Sequence, residues 1–248
     1  MNDKLQKLKI ANKWTTYILE DLKAFILREK VVSTEEVDNR ASRIMKMMDV
    51  VPAFKGYKGF PGNLCISIND EVVHGIPSKD RLIQKGDLVS LDLGIIYQGY
   101  YSDMAISFVN RKFSFGKKQK LVEDTKQALD DAIKALKQAF PKCHLSHITA
   151  AIDPYKDKYG IVYTYGGHGI GQTLHEGKLF VSNSWNNFSR DQILQVGTVF
   201  TIEPMFTLGS DIVKIAEDGY TIKTVDGSLA AHFEYSVAMT EKGIVVLK

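Results

Sequence analysis

Four carboxylates stand in stretches that otherwise read as buried strand. In "GDLVSLD" a turn glycine, Gly86, leads six residues on to Asp92, and in "GTVFTIE" Gly197 leads six residues on to Glu203. Each window is a glycine, an apolar run, and then an acid where the alternation calls for an apolar side chain. Each is followed by a second strand with an acid of its own, Asp103 in "YYSDMAISF" and Glu234 in "HFEYSVAM". Aspartate is depleted in strands, and carboxylates are rarely buried without a partner. Any one of them is most simply read as lying on a solvent face or pairing with a lysine. Four at matching places in two halves are not. Converging without counter-charge they would repel, and some would have to take up protons. Divalent cations remove that conflict.

An imidazole is near at hand. The stretch "YGGHGIGQTLHEG", residues 165 to 177, sets His168 and His175 among five glycines. Four of those glycines fall between 166 and 171, which argues against a helix because each disfavours a helix interior by about 1 kcal/mol. The spacing is not GxGxxG, and Leu179 stands where HExxH needs its second histidine. The glycines therefore mark turns or close approach of the backbone to something. Four acids with one or two imidazoles form an oxygen-rich set suited to Mn²⁺, Fe²⁺ or Co²⁺ rather than to structural zinc. Five ligands exceed what one tetrahedral ion needs, which points to two ions bridged by carboxylates, with His168 as the imidazole.

The elements that would carry these groups follow from periodicity. Residues 13–29 are helical in pattern, and the lysines at 4, 7, 9 and 13 form the wet face of that first helix. "STEEVDNRASRIMKMM" opens a second helix, with Ser33 or Thr34 as N-cap. "LCISIN", "DLVSLDLGIIY" and "YSDMAISFV" read as strands, the last two joined across Gln98-Gly99. Helices are expected over 117–139 and 145–158, then strands near 198–206, 219–224 and 230–239. Two helix pairs and two strand-acid units imply an α+β fold of two related halves, with an antiparallel sheet backed by helices on one side.

Composition narrows the classes. At 248 residues the chain suits one large domain or two small ones and is read as one domain over 1–248, and its net charge of +3 gives no ground for nucleic-acid binding. Two cysteines make no disulfide framework, no run reaches the roughly 18 apolar residues of a membrane span, and the start lacks the core of a secretion signal. The expectation is a cytoplasmic protein without membrane contact.

On these residues the chain resembles the type I methionine aminopeptidases, with their pita-bread fold. "CISINDEVVHGIPS", "SLDLG", "GGHGIGQTLHE", "TIEPM" and "DGYTIKTVDGSLAAHFEYSVAMT" stand in that family's order along nearly the whole chain. The resemblance implies a pseudo-two-fold antiparallel sheet backed by two pairs of helices. It implies metal ligands at Asp92, Asp103, His168, Glu203 and Glu234, with Asp103 and Glu234 bridging two Co, Mn or Fe ions. It assigns catalysis to His74, His175 and Glu203, with both histidines also contacting substrate. Phe54, Tyr57, Phe60, Cys65 and Tyr220 resemble the wall of a methionine side-chain pocket. The implied substrates are peptides and nascent chains with N-terminal methionine and a small second residue, met by a monomer in transient contact with the ribosome. Three positions depart from the pattern: Gly177-Lys178 where a proline is common, Tyr220 in place of tryptophan, and Leu174 in place of a bulkier aromatic. His144 and His147 are expected on the surface, and His232 beside the ligands.

Overall fold

The structure is a computed structural model that describes residues 2–111, 116–185 and 191–248. Its centre is a six-stranded antiparallel sheet. The strands are β1 (Cys65–Ile68), β2 (Leu88–Leu93), β3 (Met104–Val109), β5 (Val199–Ile202), β6 (Glu234–Thr240) and β7 (Gly243–Leu247). A short strand, β4 (Gly166–His168), lies outside this sheet, paired with Phe180–Ser182. Across the sheet the order is β5-β6-β3-β2-β1, with β7 also paired to β6. The four strands β5-β6-β3-β2 are symmetric about the β6–β3 junction: β2 and β3 in the first half occupy the places of β5 and β6 in the second. The two strand-acid units of the sequence thus become two halves of one sheet.

The helices are α1 (Asn2–Arg28), α2 (Thr34–Met47), α3 (Lys117–Ala139) and α4 (Leu145–Ile152). They pack as the pairs α1 with α2 and α3 with α4. The second helix starts as its sequence dictates, with Ser33 as N-cap in a capping box with Glu36. The core between helices and sheet takes Leu22, Ile26, Val89, Leu91, Leu93, Leu129, Ile133 and Phe200, all buried. Each such side chain contributes about 1.5–3 kcal/mol by leaving water. No helix among the described residues is long and apolar enough to cross a membrane.

Several element boundaries differ from expectation, each for a local reason. The first helix begins at Asn2, not residue 13. The helix expected over 145–158 stops at Ile152 and continues as a 3₁₀ turn from Asp153 to Asp157, because Pro154 lacks the N–H an α-helix needs there. The strand over 198–206 breaks at Glu203-Pro204 into β5 and Met205–Thr207, which belong to different sheets. The strand over 230–239 breaks likewise at Phe233. Within 219–224 only Ile222–Thr224 is strand, paired with Val213–Ile215, which alternation did not reveal. Gln98 and Gly99 both take positive φ, as a two-residue hairpin turn requires.

Candidate metal centre

Register places the acids. Asp92 on β2 pairs with Ala105 on β3, and Ala105 pairs on its other side with Glu234 on β6. Cys65 on β1 pairs with Asp92. Glu203 lies one residue beyond the Ile202–Tyr235 pair, level with Glu234. Directly opposed residues on neighbouring strands share a face. A single row across five strands therefore presents a thiol, a carboxylate, a methyl group and two more carboxylates to one side. Asp103, two residues before Ala105, joins the same face by the period of a strand.

His168 ends β4 and closes over this row. Its backbone N–H donates to Thr201 Oγ1 at 3.0 Å, and that hydroxyl donates to Glu203 Oε1 at 3.2 Å. Its Nδ1 donates to the Gly169 carbonyl at 3.1 Å, which leaves Nε2 facing Asp103 Oδ2 at 3.5 Å and Glu203 Oε1 at 3.9 Å. The glycines make this approach possible. A Cβ on Gly167 would overlap the Thr201 carbonyl, and one on Gly169 the Glu176 carbonyl.

The electrostatics are those of crowded anions. Burial, then the charges of Asp103 and Glu203, push the Asp92 carboxyl well above its ordinary range. Burial and the same neighbours raise Glu234 similarly, and burial lifts Glu203 to about 7. Burial disfavours a charge on His168, yet Asp103 and Glu203 outweigh it and raise its pKa to about 9. The Cys65 thiol is pushed well up by burial and the nearby acids, so it remains a neutral wall. Asp92 Oδ1, Asp103 Oδ1 and Glu234 Oε1 are buried and accept no hydrogen bond. An orphaned buried acceptor costs on the order of 1–3 kcal/mol, more when charged.

These donors fit divalent cations. Asp103, His168 and Glu234 each offer a ligand atom, all within 4.8 Å of one another; Glu203, His232 and Glu234 form a second such group. Glu234 is common to both. His232 is buried, with Nε2 3.7 Å from Glu203 Oε2, and burial lowers its pKa to about 3.

Above the acids lies a cavity of about 460 Å³. Every residue expected at the site lines it: Phe54, Tyr57, Phe60, Cys65, His74, Asp92, Asp103, His168, His175, Glu203, Tyr220 and Glu234. Its aromatic wall is locked internally, with Phe60 edge-on to Tyr220 at 5.7 Å and the Tyr220 hydroxyl donating to the Lys58 carbonyl at 3.2 Å. The His175 ring sits 3.9 Å from that of His168, and its Nδ1 meets the Tyr57 hydroxyl at 2.8 Å. Burial and the neighbouring His168 depress the His175 pKa to about 4, so the ring is neutral at pH 7. His74 holds a left-handed backbone conformation, φ 61°, and stands edge-on to Tyr165 at 5.8 Å. His144 and His147 lie outside the cavity, where His144 Nδ1 meets Asp191 Oδ2 at 3.1 Å.

Lys58, Val73, Tyr165 and Met205 also line the cavity without having been singled out from sequence. Tyr165 was within reach, since it opens the glycine-rich stretch. The others carry no local signal.

Comparison with known proteins points the same way. Residues 6–241 match the model of Metallopeptidase family M24. The chain is 43% identical over 224 residues to a methionine aminopeptidase of Aquifex aeolicus (strain VF5), covering 87% of this chain and 85% of that one. It is 40% identical over 230 residues to methionine aminopeptidase 1 of Bacillus subtilis (strain 168), covering 92% and 89%. Among solved structures, a methionine aminopeptidase from Thermotoga maritima superposes with a TM-score of 0.91 at 34% identity, over 100% of this chain and 97% of that one.

Proposed function

The chain belongs to metallopeptidase family M24, with the family's α+β pita-bread fold and methionyl aminopeptidase activity, and on that premise we propose how its residues act. Asp92, Asp103, His168, Glu203 and Glu234 would hold two divalent cations between them. The observation that carries this reading is the cluster of buried carboxylates, three of whose oxygens accept no hydrogen bond, that His168 meets with Nε2. Mn²⁺, Fe²⁺ and Co²⁺ all suit that donor set.

The substrate is the N-terminal methionine of a peptide or nascent chain. Its unbranched thioether enters among Phe54, Tyr57, Phe60, Cys65, Leu174 and Tyr220, which offer apolar and aromatic surface and one neutral thiol. Sulfur–aromatic contacts favour such a fit. A small second residue is favoured because His74, Tyr165 and Met205 crowd the same cavity.

When bound there, divalent ions lower the pKa of a water towards neutrality and polarise the scissile carbonyl. Glu203 accepts the proton of the attacking water and returns it to the leaving amine. Its Oε1 is held by the Thr201 hydroxyl, so the proton is taken at a fixed place. With the Tyr57 hydroxyl donating to His175 Nδ1, His175 Nε2 carries a hydrogen for the developing oxyanion. His74 hydrogen-bonds the amide nitrogen as it is released. The three act on different atoms of one peptide bond. A nascent-chain substrate fits a cytoplasmic enzyme.

The test is release of methionine from Met-Ala-Ser compared with cleavage of Ala-Pro-Ala by the manganese-loaded protein. Release from the first and none from the second is expected. The reverse would make the chain an Xaa-Pro peptidase.

A further inference from the structure

Among the described residues that line the cavity, one alone is a lysine or arginine, Lys58. It is exposed, and it takes part in none of the ion pairs found among the described residues. Its Nζ lies 5.5 Å from the centre of the Tyr57 ring. Tyr57 in turn stacks on His175 at 5.4 Å. The ammonium is thus one aromatic ring removed from a histidine beside the carboxylates, yet open to solvent.

The backbone holds it there against its own preference. Lys58 is left-handed, φ 48° and ψ 29°, a conformation that costs an L-residue energy and that glycine would adopt freely. Gly56 and Gly59 on either side also have positive φ. The Lys58 carbonyl accepts from the Tyr220 hydroxyl, tying the turn to the aromatic wall. A turn that tolerates this strain at a lysine, between two glycines, keeps a charge at the mouth.

We propose that Lys58 is a specificity-determining residue: its ammonium favours peptides that carry acidic side chains beyond the second residue. The proposal rests on the methionyl aminopeptidase reading, because there the first side chain fills the aromatic wall and the second is small. The third and later residues then leave through the mouth. The four acids lie at the floor, where bound cations would offset their charge, whereas Lys58 has no ion-pair partner among the described residues. At roughly 8 Å, through a dielectric between that of water and a protein surface, one such charge changes affinity by about threefold to fivefold. Set against a lysine at the same peptide position, the contrast grows to about tenfold, and salt weakens it.

The experiment uses manganese-loaded protein and three amidated peptides: Met-Ala-Asp-Asp, Met-Ala-Ser-Ser and Met-Ala-Lys-Lys. The readout is the ratio of kcat/KM between the acidic and basic peptides, at low and at moderate salt. Wild type should favour the acidic peptide by about tenfold at low salt, Lys58→Gln should bring the ratio close to one, and Lys58→Glu should invert it. The serine peptide separates two failures. Release from it with no acidic preference in wild type, or an unchanged preference in Lys58→Gln, would overturn the role of Lys58 alone. No methionine release from any of the three would overturn the reading on which that role stands.

Discussion

Asp92 and Glu234 face each other across one alanine. Both pair in register with Ala105 on the strand between them, so a methyl group is all that separates two buried carboxylates. Each has an oxygen that accepts no hydrogen bond. A larger side chain at 105 would fill the space in which the two converge. Four acids and an imidazole in this packing form an unstable arrangement alone and a sound one around cations.

That relationship gives a pH prediction for the metal-free protein. The folded-state pKa of Asp92 is raised, so between its ordinary value near 4 and its raised value the folded state binds more protons than the unfolded one. Stability attributable to this group is therefore present at low pH and lost as pH rises through that window. Asp92→Asn removes the loss. In chelator-treated protein the variant should gain on wild type as pH goes from about 4 to 7.5. With Mn²⁺ present the order should reverse, because a ligand is gone. Urea unfolding of both proteins, with and without metal, checks this; identical pH dependence of the two in chelator would refute it.

Gly167→Ala should disturb the site from outside it. The added Cβ meets the Thr201 carbonyl, a backbone atom that cannot swing away. A loss of about 1–3 kcal/mol in stability is expected, as for other overpacked sites, together with weaker Mn²⁺ binding through the adjoining His168. Gly177→Ala is the control. Its φ is 71° with open space around it, so it should cost about 1 kcal/mol and leave metal affinity unchanged.

Much of the centre was legible in the sequence because acids in apolar strands and glycines around a histidine break local rules that only function explains. The two halves were legible through Gly86 to Asp92 and Gly197 to Glu203. The breaks at Glu203-Pro204 and Phe233 were not, since alternation runs through both and only the hand-over between sheets reveals them. The shortened α4 is legible at Pro154, whose missing N–H ends the α-helix at Ile152 although the apolar period runs on. Ala105 looks like any small strand residue until register sets acids on either side of it. Lys58 resembles an ordinary surface lysine, because its left-handed backbone and its place at the mouth are tertiary facts.

Tyr57→Phe isolates the orientation of His175. The ring and its stacking remain while the hydrogen bond at 2.8 Å is lost. A fall in kcat of about tenfold, the worth of one neutral hydrogen bond, is expected, with a smaller change in KM. Wild-type kcat in Tyr57→Phe, with a loss only in Tyr57→Ala, would assign the role to the ring instead.

His168→Ala and His175→Ala should fail differently although their rings lie 3.9 Å apart. The first should bind metal weakly and recover in part when Mn²⁺ is raised. The second should bind metal normally yet lose roughly 10²–10³-fold in kcat, the effect of removing one oxyanion donor. Rescue of His175→Ala alone by added metal would interchange the two roles.

The most direct measurement follows methionine release from Met-Ala-Ser while exhaustively demetallated protein is titrated with Mn²⁺ and the bound ions are counted. The account predicts no release at the start, activity that rises with added metal, and two ions bound per chain at saturation. Full activity in the demetallated protein would contradict it.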